Sequence, residues 1–511
     1  MSVTATRGPV AAERRQGARS SLVGLAGAGV SGLFGFGLAV VLARGFGTAG
    51  SGAIFTAIGL LTVVSAVCCL GADTGLVWAL PRHRQGRPGG LLTVALVPPM
   101  LAGLVVVAVG LALVDRLAAV LLPAAGPAGA RLLAVALIAV PVTAAATILL
   151  SAVRASRPIA AYAAVQFVLL PVGRPVLVGA VALASGGVVL ALAGWALPAV
   201  LAVVACVALV RGPLGLTTPA GLRPDPGAWP AFWSFALPRA VSAAIDSGGM
   251  WVGVLLTAAL ASQADAGVFG GVGRYVLAGQ LALQGLRVAI APQLSRLLGA
   301  GHHAEAAAVH RQTTVWAIVF CWPVYLLLGL FAPAFLILFG GGFVAGAGAM
   351  AILAAAMLVN VGLGTVQTVL LMSGRSRSHL AATAAGLVCT VGLGVWWIPV
   401  VGVRGAAAAW AVGIVVENVV AAVAARAVIG SAVLSRAAVV TAAVVAGAVG
   451  TAGAVAIVVA GRGIPGLLLA LALLAAGLAV ALTRPRVREL SKQQVAMLRG
   501  VRAGTEREGD A

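Results

Sequence analysis

Lysine is nearly missing from this chain. Of 33 basic residues only Lys492 is a lysine, and it sits in the terminal tail. That excludes a phosphate loop of the ATP-hydrolysing kind, which ends in Lys followed by Ser or Thr. Acidic residues number just 12 of 511. No paired carboxylates stand in a large polar loop, and the segments between apolar runs leave no room for a soluble catalytic domain. The chain is therefore read as a non-enzyme. The five histidines, His83, His302, His303, His310 and His379, are placed in polar segments between the apolar runs. His302 and His303 read as solvated loop residues, and no Cys/His cluster has zinc spacing. The five cysteines, Cys68, Cys69, Cys206, Cys321 and Cys389, fall inside apolar runs, which predicts buried thiols, neither disulfides nor a metal site. No cofactor is expected, and no cleavable signal peptide is evident.

What remains is apolar. The chain is 61% hydrophobic and 9% charged, with a mean hydropathy of +1.11, values that exclude an ordinary soluble domain. A formal charge of +21 on a soluble protein would point to nucleic acid. Here the arginines lie mainly in short loops between apolar runs, so nucleic acid is not an expected partner. Runs of about 20 apolar residues, the length that crosses ~30 Å of hydrocarbon, begin near Ser20, Ser51, Leu91, Arg131, Ile159, Val188, Ala231, Gly267, Gln312, Ala347, His379, Gly405, Ala437 and Ile464. The expected fold is an all-α polytopic membrane protein with about 14 transmembrane helices.

Basic residues resist translocation and stay cytoplasmic. With the amino terminus inside, 24 of the 33 fall in cytoplasmic segments, 5 in or beside outer loops and 4 within the bilayer. Both termini are thus expected on the cytoplasmic side of a bacterial-type inner membrane. The chain divides into an N-terminal six-helix bundle (1–210), a cytoplasmic linker (211–230) rich in proline, a second six-helix bundle (231–430), two further helices (431–483) and a basic tail (484–511). Leu490, Met497, Leu498 and Val501 in that tail have the spacing of an amphipathic helix on anionic lipid, or the tail is simply a solvated topology signal. A shift of 214 residues superposes Phe55 on Phe269, Gly59 on Gly273, Gly71 on Gly285, Leu80 on Leu294 and Arg82 on Arg296. Halves of six helices each would be related by an axis along the membrane normal.

Four arginines, Arg174, Arg239, Arg274 and Arg287, lie inside apolar runs. A charge in hydrocarbon costs roughly 2.5 to 3.5 kcal/mol on insertion scales, so these call for a polar interior. Gln280, Gln284 and Arg287 follow i, i+4, i+7 spacing and form one stripe. Arg239 and Asp246 are two helical turns apart and share a face. Arg174 stands between Pro171 and Pro175, which are expected to break the helix and leave carbonyls free. Asp73, Asp246 and Glu417 are the intramembrane acids, candidates for taking up a proton or sodium ion, Asp246 foremost, or for serving as counter-ions to the arginines. Asn360 and Gln367 on one face, with Gln166, complete the polar lining or join helices by hydrogen bonds.

Several stretches carry a family likeness. These are Phe36–Phe55 (FGLAVVLARGFGTAGSGAIF), Leu70–Arg82 (LGADTGLVWALPR), Phe235–Leu256 (FALPRAVSAAIDSGGMWVGVLL), Ala266–Ala278 (AGVFGGVGRYVLA), Ala291–Leu297 (APQLSRL) and Leu370–Arg377 (LLMSGRSR). With them the chain resembles the multidrug/oligosaccharidyl-lipid/polysaccharide (MOP) exporter superfamily, and within it the polysaccharide transporter, O-antigen flippase-like branch. The resemblance implies two pseudo-symmetric six-helix bundles around a central cavity, with two extra C-terminal helices. It further implies an alternating-access flippase for a lipid-linked, undecaprenyl-diphosphate-type oligosaccharide in cell-envelope polysaccharide synthesis, driven by an ion gradient or the membrane potential. The expected partners are that lipid-linked glycan, the surrounding membrane lipids and a glycan polymerase or glycosyltransferases. Arg174, Arg239, Arg274 and Arg287 become candidates for neutralising the diphosphate, because the guanidinium fork matches phosphate oxygens; the alternative is that they pair with Asp73, Asp246 or Glu417 to join helices, or snorkel to the surface, which for Arg239 is the favoured reading. The alternatives are an ion-coupled antiporter of drugs or small organic cations, which calls for excess acid in the cavity, and a lipid II flippase. The first helix, Ser20–Ala43, lacks the charge of the lipid II branch.

Overall fold

The computed structural model describes residues 8–82 and 87–483, and all regular structure among them is helical. The basic tail, His83 and Arg84 fall outside the described residues. The first half comprises α1 (Gly8–Cys68), α2 (Ala72–Ala79), α3 (Pro88–Ala112), α4 (Val114–Leu121), α5 (Pro127–Ser156), α6 (Ile159–Ala163), α7 (Leu170–Leu183) and α8 (Val188–Val210). The second comprises α9 (Ala228–Leu260), α10 (Gln263–Gly299), α11 (His303–Leu330), α12 (Ala332–Leu336), α13 (Ala347–Gly362), α14 (Val366–Met372), α15 (Ser376–Val401) and α16 (Val403–Ile429). Then come α17 (Arg436–Ala460) and α18 (Ile464–Thr483), which pack against α11 and its sequel through Leu327, Phe331, Val449, Ala456 and Ala470.

Among the described residues, eleven helices are long and apolar enough to cross a membrane, and a twelfth span is α9, bent by 56° between Gly249 and Trp251. The difference from fourteen has two physical sources. First, α1 holds two of the predicted runs. Its 61 residues would extend about 90 Å, three bilayer cores, and Gly47 at φ 66° divides it. Second, α10 is 37 residues long but carries Arg274, Gln280, Gln284 and Arg287, which make it less apolar than its neighbours. The proline pair around Arg174 does not sever its helix. The chain runs continuously through a π-helical turn at Ala164–Leu169 into α7, because a widened turn absorbs the missing proline N–H.

The linker is tied down. Arg87 N–H donates to Asp225 Oδ2 (2.9 Å) and Thr93 Oγ1 to Leu222 O (2.9 Å), fastening it to the start of α3. Helix α9 joins two cores: Ala228, Phe232 and Ala236 are buried with α2, α3, α5 and α8, whereas Trp251, Val254 and Ala258 are buried in the larger core that α1, α10, α11 and α13 share.

Lipid tails are as apolar as leucine, so helices in a bilayer associate through close packing of small residues. The tightest such seam joins the halves at the end of the bundle bearing Gly47 and Arg44. A β-carbon at Gly52 would collide with Gln263 O, and one at Gly267 with Thr48 O. The segments around Gly52 and Gly267, which the 214-residue shift brings near register, thus lie against each other. Arg44 clamps the same seam, donating from Nε to Leu338 O (2.8 Å) and from Nη2 to Ile337 O (3.1 Å).

Candidate functional site

The polar stripe of α10 opens into a cavity of about 260 Å³. Gln280, Gln284 and Arg287 line one wall, facing Asn360 on α13, Gln367 on α14, Thr383 and Thr390 on α15, and Trp410, Glu417 and Asn418 on α16. Asn360 and Gln367 do meet here, but on separate helices. The chain breaks between them at Gly364 (φ 73°), where any side chain would strike Thr314 Oγ1. Glu417 is held by its neighbours: Gln367 Nε2 donates to its Oε1 (2.8 Å), and so does Thr383 Oγ1 (3.3 Å). Its charge also acts on Arg287. Among the described residues, therefore, one cation and one anion line the cavity, and all of its lining comes from the second half of the chain.

Two other arginines come from opposite halves of the chain. Arg174, on α7, places its Cζ 4.0 Å from the centre of the Trp195 ring. Arg274, on α10, lies 5.6 Å from the Phe55 ring and 5.3 Å from that of Trp251. The two guanidinium charges repel one another. Among the described residues neither forms a salt bridge, and Arg174 Nε is buried without a hydrogen-bond partner. A desolvated cation–π contact is worth about 2 kcal/mol, less than the roughly 2.5 to 3.5 kcal/mol that burial of the charge costs. Arg174, with one ring beneath it, is left under-compensated. Arg274 also lines a small pocket of about 30 Å³ with Trp410 and Leu277, two residues it shares with the larger cavity.

The remaining candidates fall elsewhere. Arg239 is exposed, its Cζ 4.8 Å from the Phe235 ring. Phe235 stacks in turn on Trp78 of α2 at 4.3 Å, and Arg239 lines neither cavity. The side chain of Asp246 lies outside the described residues. Asp73 is in the first turn of α2, its Oδ1 buried without a hydrogen-bond partner, and it lines neither cavity. Gln166 sits half-buried in the π-helical turn and lines neither cavity. His310, expected in a polar segment, is instead fully buried in α11, with Nδ1 3.1 Å from Thr365 Oγ1. Helix α11 begins earlier than its apolar run and carries His310 into the core.

Sequence reasoning missed Trp195, Trp251, Phe55 and Trp410, the rings that hold or adjoin the arginines. An aromatic in an apolar run has no periodic signature that separates platform from filler. Thr383, Thr390 and Asn418 could have been found as the polar positions of α15 and α16 that recur at helical spacing.

No protein-family model matches this sequence, and no curated relative matches it. Solved structures do match in fold. The lipid II flippase MurJ in an inward closed conformation aligns with a TM-score of 0.70 at 11% identity, covering 90% of this chain and 99% of that one. The inward-facing conformation of a multidrug resistance MATE family transporter of the MOP superfamily aligns with a TM-score of 0.65 at 16% identity, covering 78% and 94%. A MOP superfamily transporter from Pyrococcus furiosus, described as having a binding pocket of reverse polarity, gives a TM-score of 0.52 at 16% identity, covering 81% and 95%. The chain has the polytopic helical fold seen in transporters of the MOP superfamily.

Proposed function

We propose that this protein is a flippase of the O-antigen type, carrying a polyprenyl-diphosphate-linked glycan across the cytoplasmic membrane by alternating access. The observation that carries the reading is the pair Arg174 and Arg274. They come from opposite halves, rest on aromatic faces, form no salt bridge among the described residues and repel one another. A dianion between them replaces repulsion by two charge-assisted contacts, whereas an organic cation adds to the repulsion. The basic end of the bundle faces the cytoplasm, where glycosyltransferases build the glycan. The empty carrier is doubly positive at this pair and the loaded one neutral. An inside-negative potential therefore favours return of the empty site to the inner side, by about 2.3 kcal/mol per charge per 100 mV if each crosses the full field.

The test is translocation of a polyprenyl-diphosphate-linked saccharide in proteoliposomes. Each lost charge-assisted contact is worth about 1.5 to 3 kcal/mol, so Arg174→Ala and Arg274→Ala each reduce transport roughly 10- to 100-fold. Full transport by both variants would refute the proposal.

A further inference from the structure

We propose that the cavity of the second bundle is a saccharide subsite that seats one uncharged sugar ring of the cargo, with Trp410 as its platform. The inference rests on the lipid-linked glycan reading above and adds where the sugar goes. Amides in a membrane bundle usually join helices, and that explanation meets only part of what lines this void. Gln280 and Asn360 find no oxygen: their amide nitrogens reach only the thioether sulfur of Met357, at 3.6 and 3.8 Å, and thioethers accept weakly. Asn418, 2% exposed, bonds Ile414 O through Nδ2 while its Oδ1 has no partner. Arg287 Nε and Nη2 are likewise buried and unpartnered. Leaving such a group unsatisfied costs about 1 to 3 kcal/mol, so the wall holds unspent donors and an unspent acceptor together.

A polyol presents both kinds of group at every hydroxyl, whereas an ionised phosphate only accepts and an ammonium or guanidinium head only donates. Arg287 and Glu417 balance each other's charge, which disfavours the diphosphate here and sends it to Arg174 and Arg274. At about 260 Å³ the void is below the ~300 to 1,000 Å³ of pockets that enclose drug-sized ligands, so it takes one ring of a glycan. Trp410 offers the apolar face that a pyranose stacks on, and its contact with the Arg274 pocket places sugar and diphosphate sites next to each other.

The experiment measures binding of four polyprenyl diphosphates to the purified full chain in nanodiscs: bare, or carrying glucose, galactose or N-acetylglucosamine. At least one sugared lipid is expected to bind tenfold or more tighter than the bare lipid. Asn360→Ala and Asn418→Ala should bring that ratio to near one while leaving affinity for the bare lipid unchanged; Gln280→Ala provides a third variant if either misfolds. A ratio near one for every sugar in the wild type, or a ratio that survives these substitutions, overturns the subsite. Failure of all four lipids to bind would instead overturn the flippase reading, and the subsite with it.

Discussion

Arg44→Ala is the substitution whose effect follows most directly from the geometry. It removes two hydrogen bonds that tie α1 of the first half to the chain after α12 in the second, at 2.8 and 3.1 Å. A bond from a charged donor is worth about 1.5 to 3 kcal/mol where buried. Arg44 is exposed, and solvent competition reduces each bond to about 1 kcal/mol. The total of about 2 kcal/mol corresponds to a shift of roughly 30-fold between closed and open states of this seam. The fold itself should survive, because the glycine contacts of Gly52 and Gly267 lie outside the clamp. Spin labels at Leu183→Cys and Val400→Cys, exposed positions at this end in opposite halves, would read the change by pulsed dipolar spectroscopy. Four native cysteines are buried, and half-buried Cys389 is replaced to remove background labelling. The expected result is a new long-distance population in the Arg44→Ala protein. Two results would refute the reasoning: an unchanged distribution, or the same change from Arg404→Ala, an exposed arginine that packs on Gly348 within the second half.

Gly364→Val tests the break that brings Asn360 and Gln367 to one cavity. The site combines φ 73° with a collision at Thr314 Oγ1, and strain of about 1 to 3 kcal/mol should lower the thermal midpoint in detergent; a wild-type midpoint would show that the turn tolerates a side chain. Trp195→Leu removes the ring under Arg174 and should destabilise the protein by about 2 kcal/mol from the cation–π contact alone. Trp195→Phe keeps a π face, so an equal loss in both variants would argue that Trp195 acts only as filler.

The stripe of Gln280, Gln284 and Arg287 was legible because helical periodicity is written in one stretch of chain, and all three do line one cavity. For Arg239 the sequence left cavity and surface both open, because it shows that an arginine interrupts an apolar run, not whether the run ends at a surface; the side chain is exposed. His310 was misplaced because helix α11 extends beyond its apolar portion. The Pro171 and Pro175 pair read as a break, yet a π-helical turn accommodates it.

By itself the sequence determined that the chain is a helical, multi-pass membrane protein, since that depends on composition and local order along the chain. Only the tertiary structure decided which charges are compensated. Trp195 lies 21 residues from Arg174, and Phe55 more than 200 from Arg274; packing alone sets Phe55 and Trp251 beside Arg274, and Gln367 and Thr383 beside Glu417. Charge compensation falls off with distance in space, and separation along a folded chain does not report that distance.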